Sequence, residues 1–163
     1  MSSTHEVVPG QRTVFLADLP DLVGQQLGPS RPIVVTQERI DAFAEASGDR
    51  QWLHTDLERA ARGPFGGTIA HGYLTLALQT VMLWDVLEVS DADSVVNYGL
   101  NKVRFITPVP VGSELVMTVE VTDVSPVRGG HQLAYTATIS LPGASRPCCV
   151  AEVLFRYLSS EGS

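Results

Sequence analysis

The sequence predicts an α+β fold in which an antiparallel sheet wraps one long helix, and three observations predict it. Residues 72 to about 87 are apolar on nearly every face, the pattern of a helix buried all round. Four later segments, 94–106, 114–124, 131–141 and 147–158, are rich in Val, Thr, Tyr and Phe and are separated by Gly, Pro and Ser clusters. Among them, Leu115-Val116-Met117-Thr118-Val119-Glu120-Val121-Thr122 alternates with the period of a strand. Strands in series with short links favour antiparallel pairing, and a long apolar helix beside such a sheet packs on its face.

The earlier elements follow in order. Residues 1–10 and 159–163 read as loose ends of a single domain spanning 1–163, with no internal repeat. Residues 12–19 have strand character, and Gly28-Pro29-Ser30-Arg31-Pro32 marks a connection. Thr36 reads as a helix N-cap, with Glu38 in the first turn where a carboxylate suits the helix dipole. Ile40, Phe43 and Ala44 continue at helical spacing, and Gly48 is placed to end that helix in a left-handed conformation. Residues 49–55 are then expected as a loop. Asp56 can cap a short second helix through Arg62, before the break Gly63-Pro64-Phe65-Gly66-Gly67.

Composition narrows the function classes. With 163 residues, 44% hydrophobic and 18% charged, the chain has a globular composition. A net charge of −7 disfavours nucleic acid as a partner. Basic contacts to a phosphate-bearing ligand would have to be local, with Lys102, Arg104, Arg128 and Arg62 as candidates that serve equally as surface charges. Cys148 and Cys149 are adjacent, so a bridge between them would be strained, and the expected setting is a reducing cytoplasm. No signal peptide is visible at the N-terminus. The uncharged run 66–84 contains His71 and Gln79 and suits a buried helix better than a membrane span.

Asp49 and His54 are the first candidates for chemistry. On a continuous helix five residues turn the chain by about 500°, so the two side chains would diverge. In a loop after a Gly-ended helix they can converge as a general acid/base pair. An Asp and a His at this spacing also occur by chance, and turn and packing roles for them stay open. Gly72 lies at the expected start of the buried helix, where unpaired N–H groups can serve an oxyanion; tight packing is its alternative role. His71 can contact ligand, cap or pack. No Gly-x-Ser-x-Gly, P-loop or dinucleotide-binding glycine pattern is present, and His5, His54, His71 and His131 lack zinc-ligand spacing, so no metal is expected.

The runs Ala46-Ser47-Gly48-Asp49-Arg50-Gln51-Trp52-Leu53-His54-Thr55-Asp56 and Gly63-Pro64-Phe65-Gly66-Gly67-Thr68-Ile69-Ala70-His71-Gly72-Tyr73-Leu74, with Ala60 between them, resemble the hydratase motif of MaoC-like (R)-specific enoyl-CoA hydratases. Within that family the single-domain branch with the nodulation protein N-like proteins is the most similar. Asn97-Tyr98-Gly99-Leu100-Asn101-Lys102-Val103-Arg104-Phe105 and Pro108-Val109-Pro110-Val111-Gly112 add support, and the resemblance spans residues 30 to 157. It implies a hot-dog fold and a homodimer with sites near the subunit interface. It places Asp49 and His54 in the catalytic acid/base roles and Gly72 as the backbone oxyanion donor. His71 and Trp52 are carried as oxyanion- or substrate-binding candidates. Gln51-Trp52 stands where many members have Asn-Pro, which bears on the acyl pocket.

The function so implied is reversible hydration of trans-2-enoyl thioesters to (R)-3-hydroxyacyl thioesters, a lyase activity of fatty acid or polyketide metabolism. It needs no cofactor beyond the coenzyme A or carrier-protein pantetheine of the substrate. Leu74, Leu76 and Leu78 are candidates for lining an acyl tunnel, with core packing as their alternative. A dehydratase acting on intermediates bound to an acyl carrier protein, a hot-dog thioesterase and a non-catalytic acyl-binding protein are the competing readings.

Overall fold

The computed structural model describes residues 10–160. The chain opens with β1 (Arg12–Val14), a 3₁₀ helix over Leu16–Leu22, β2 (Gln26–Leu27) and β3 (Ile33–Val34). The strand character expected over 12–19 is thus confined to its first residues. Leu16, Leu19 and Leu22 recur every third residue and are all buried, the spacing that stacks side chains on one side of a 3₁₀ helix.

Helix α1 (Gln37–Ser47) forms as its ends dictate. Thr36 Oγ1 accepts from the Arg39 N–H, and Gly48 closes the helix at φ 79° while its N–H donates to the Ala44 carbonyl. The expected loop at 49–55 contains a single helical turn, α2 (Trp52–Thr55). One turn is too short to leave a periodic signature. Asp56 caps α3 (Leu57–Ala61), its Oδ1 accepting from the Arg59 N–H at 2.9 Å.

Helix α4 (Gly72–Val86) is the long central helix and runs directly into β4 (Leu87–Val89), which pairs in parallel with β1. The strands β5 (Ser94–Phe105), β6 (Glu114–Val127), β7 (Gly130–Ser140) and β8 (Cys149–Leu158) follow. They pair antiparallel in the order β6-β7-β8-β5, with β2 and β3 both paired to β6. Irregularities between Asn97 and Gly99, Leu100 and Lys102, and Val121 and Asp123 break the register, as bulges that bend a sheet do. Leu74, Leu78, Met82, Leu83 and Val86 of α4 share one core with Met117, Val119, Leu133, Ile139, Val153 and Phe155 of the strands. This is the hot-dog arrangement.

Two expectations need correction. Helix α4 is not buried on every side: Tyr73, Ala77, Val81 and Trp84 form an exposed stripe, because the sheet covers only the opposite side. The loose ends expected at 1–10 and 159–163 lie mostly outside the described residues, but Ser159 and Ser160 are tied down. The Ser159 N–H donates to the Gly129 carbonyl at 2.8 Å, and both the N–H and the hydroxyl of Ser160 donate to Asp93 at 2.6 Å.

Candidate active site

Three short pieces of chain meet at the N-terminus of α4. The first is the turn after α1 that carries Asp49. The second is α2, which carries His54. The third is the extended run 68–71 that leads into α4 and carries His71. Gln37, in the first turn of α1, joins them: its amide nitrogen donates to the His54 carbonyl at 2.8 Å, and its amide oxygen accepts from Thr68 Oγ1 at 2.6 Å. The run 68–71 is pinned from its other side, where the Ala70 N–H donates to the Val109 carbonyl and the Val111 N–H donates to the Thr68 carbonyl.

His54 is buried, and its Nδ1 lies 2.7 Å from the Ile69 carbonyl oxygen. A carbonyl can only accept, so Nδ1 carries the proton and Nε2 of the neutral ring keeps its lone pair. Burial pushes the His54 proton affinity below that of an ordinary imidazole. The neighbouring His71 acts in the same direction, while the Ile69 carbonyl and Asp49 act against it.

His71 is also buried, and by the same reasoning its Nε2–H donates to the backbone carbonyl of Asp49 at 2.9 Å. Its ring stacks on His54 with centroids 3.7 Å apart and planes inclined by 25°, and Phe43 packs against it at 5.0 Å. A carboxylate oxygen of Asp49 and one ring nitrogen from each histidine lie within 4.8 Å of one another. Two groups at that separation can share one water, each at about 2.8 Å. The same trio makes a poor metal site. The in-plane lone pairs of near-parallel stacked rings do not converge on one ion.

In front of His54 lies a cavity of about 300 Å³ whose walls include His54, Gly72, Thr75, Phe105, Thr107 and Cys148. Gly72 opens α4, where the first N–H groups have no intrahelical acceptor. A Cβ at this position would stand 2.8 Å from the Phe105 ring, so glycine is what lets β5 and the helix start approach each other. Burial pushes the Cys148 thiol up, which keeps it protonated and a weak nucleophile beside the cavity.

The structure therefore brings Asp49, His54 and Gly72 together at one end of α4. His71 stands behind His54 rather than on the cavity wall, and Trp52 faces away. The Trp52 ring is covered by the Arg59 guanidinium at 4.5 Å and packs on Gly63, where a Cβ would approach it to 2.9 Å. Leu74 and Leu78 belong to the core and Leu76 packs against it; the helix residues on the cavity wall are Gly72 and Thr75. Thr75 escaped the sequence reading, and Phe105, Cys148 and Ile69 were named there without these places in the site. They come from separate elements, and no spacing links them.

Comparison with known proteins identifies the family of the chain. The chain is similar to 3-hydroxyacyl-thioester dehydratase Z of Mycobacterium tuberculosis, with 44% identity over 88% of this chain and 96% of the relative. It is similar to nodulation protein N of Rhizobium leguminosarum bv. viciae, with 41% identity over 83% of this chain and 86% of that protein. Its fold matches the (R)-hydratase of A. caviae involved in PHA biosynthesis with a TM-score of 0.68 and 26% identity, covering 83% of this chain and 96% of that one. The sequence pattern of the MaoC like domain matches residues 18–140, which take in the Asp49 turn, α2 and the whole of α4. The chain belongs to the MaoC-like domain family.

Proposed function

We propose that this protein catalyses the reversible hydration of a trans-2-enoyl thioester to an (R)-3-hydroxyacyl thioester. The observation that carries the reading is that His54, whose Nδ1 is taken by the Ile69 carbonyl, and Gly72, which opens α4, line one cavity. Asp49 and Nε2 of His54 hold one water between them. Nε2 takes a proton from that water as the oxygen bonds to C3, and the pair returns a proton to C2. Delivery from one water held by one pair places both events on one face of the alkene. The Gly72 N–H meets the thioester oxygen as negative charge grows on it. One such donor contributes about 3 kcal/mol, roughly a hundredfold or more in rate, and general acid/base help adds about 10²–10⁴-fold.

The thioester itself activates C3, so the atom balance needs no cofactor. The carrier, coenzyme A or the pantetheine of an acyl carrier protein, enters as part of the substrate. We read the active form as a homodimer. The exposed stripe Tyr73, Ala77, Val81 and Trp84 on α4 supports this. So does β5, which is the last strand in the sheet order and leaves Val96, Tyr98 and Leu100 exposed.

The test is to incubate the protein with short and medium trans-2-enoyl-CoA and follow the loss of enoyl-thioester absorbance, beside Asp49→Asn and His54→Ala. Wild type should consume the enoyl thioester, and each variant should lose at least about 10²-fold in kcat. Consumption at no chain length would overturn the hydratase reading. Release of free thiol in its place would identify a thioesterase.

A further inference from the structure

Asp49 sits on a turn with few anchors of its own. Its N–H donates to Ser47 Oγ at 3.3 Å, and its carboxylate accepts from the Gln51 N–H at 3.4 Å, both long bonds to immediate neighbours. His54, by contrast, is fixed from the ring side by Ile69 and from the backbone side by Gln37. A dyad with one rigid and one loose partner would spend most of its time out of register. A misplacement of about 1 Å can cost about a hundredfold in rate.

His71 supplies the missing anchor. It reaches the Asp49 carbonyl with Nε2–H at 2.9 Å while its ring lies flat on the His54 ring at 3.7 Å. It is 3% exposed, stands at the N-cap of α4 and is wedged by Phe43 of α1. One buried imidazole therefore touches both members of the dyad, the main chain of one and the ring face of the other. Its remaining nitrogen, Nδ1, is buried without a hydrogen-bond partner and points to no substrate role.

We propose that His71 is a positioning residue that sets the separation of Asp49 and His54, by tethering the Asp49 main chain and buttressing the His54 ring. The inference rests on the hydratase reading for its kinetic consequence, but the tether itself does not depend on it.

Two variants separate the parts. In His71→Gln the side-chain amide can put an N–H near the place of Nε2, keeping the donor and losing the ring. In His71→Phe the ring stays and the donor goes. The expected result is that His71→Phe loses about 10²-fold in kcat with KM little changed, while His71→Gln recovers to within about tenfold of wild type. Amide hydrogen exchange at Asp49, Arg50 and Gln51, measured without substrate, should quicken in His71→Phe and stay near wild type in His71→Gln. Wild-type kcat in His71→Phe would overturn the proposal, as would equal losses in both variants at equal thermal stability. Should the wild type prove inactive on enoyl thioesters, the exchange measurement still decides on the tether: unchanged exchange in His71→Phe refutes it.

Discussion

Nδ1 of His54 donates to the carbonyl oxygen of Ile69 at 2.7 Å, and that bond decides which nitrogen is free for chemistry. The free nitrogen must also be unprotonated to act as a base. Burial first, and then His71, lower the proton affinity of the ring, and the Ile69 carbonyl and Asp49 only partly offset them. The ring thus stays neutral to a lower pH than an ordinary imidazole, whose pKa is about 6.5. The acid limb of kcat/KM for hydration should fall below that value, and a limb at or above it would contradict the assignment of His54 as base.

The same shift has a sign for stability. A histidine whose folded-state pKa is depressed contributes stability that is present above its unfolded pKa of about 6.5 and is lost as pH falls through the folded value. Unfolded chains bind the proton first, so acid favours unfolding in that window. Urea denaturation at a series of pH values should show a shallower loss of stability just below pH about 6.5 in His54→Gln than in wild type. Parallel curves for the two proteins would show that His54 is not the group responsible.

Gly72→Ala tests the helix start. The new methyl would meet the Phe105 ring at 2.8 Å, and overpacking of this kind costs about 1–3 kcal/mol. Phe105 is half exposed and can move, but its ring lies on the cavity wall, so relief comes at the expense of the substrate space. The expected outcome is a lower melting temperature together with a loss of about 10²-fold in kcat. Adding Phe105→Ala should return stability more fully than activity. A Gly72→Ala protein as active and as stable as wild type would remove Gly72 from the site.

Much of the fold was legible because local chemistry agreed with global packing. Thr36, Gly48 and Asp56 each do what their side chains or lack of one dictate, and the strands carry period-two patterns against a buried helix. The dyad was legible only through the length of the motif around it, since an Asp and a His five apart say little alone. The rest depended on contacts between distant segments. Nothing in Gln37 announces that it will hold the His54 backbone and the Thr68 hydroxyl together, and Trp52 is adjacent to the motif's core yet turns to Arg59 and Gly63. For His71 the sequence leaves ligand contact, capping and packing open. Its true neighbours are set by the convergence of three pieces of chain. The α4 stripe was misread for a related reason: an apolar helix face marks a surface that wants cover, without saying whether the cover belongs to the same chain.

Two tyrosines inside the sheet make a matched comparison. Tyr135 donates its hydroxyl to the Gln79 side-chain oxygen of α4 at 2.6 Å, whereas the Tyr157 hydroxyl is buried with no partner. Removing the first leaves a buried acceptor unsatisfied, at a cost of about 1–3 kcal/mol. Removing the second abolishes an unsatisfied group. Tyr135→Phe should therefore destabilise by that amount in chemical denaturation, and Tyr157→Phe should be neutral or stabilising. Equal losses in the two variants would mean that the bond to Gln79 contributes nothing specific.

The stripe on α4 carries the last prediction. Tyr73, Ala77, Val81 and Trp84 recur at helical spacing and are exposed in the single chain, beside the outermost strand β5. An apolar surface of this kind is energetically unfavourable in water and is the natural seat of a second copy. A stable dimer buries about 1,600 Å² in all, which one helix face and one strand on each copy can supply together. Sedimentation equilibrium should find the wild type dimeric at micromolar concentration. Val81→Arg places a charge at the middle of the stripe, where its side chain is free to reach solvent in the monomer and is trapped between helices in the dimer. It should weaken association by tenfold or more while leaving the monomer folded by circular dichroism. A monomeric wild type, or a Val81→Arg protein that dimerises as tightly as its parent, would move the interface elsewhere.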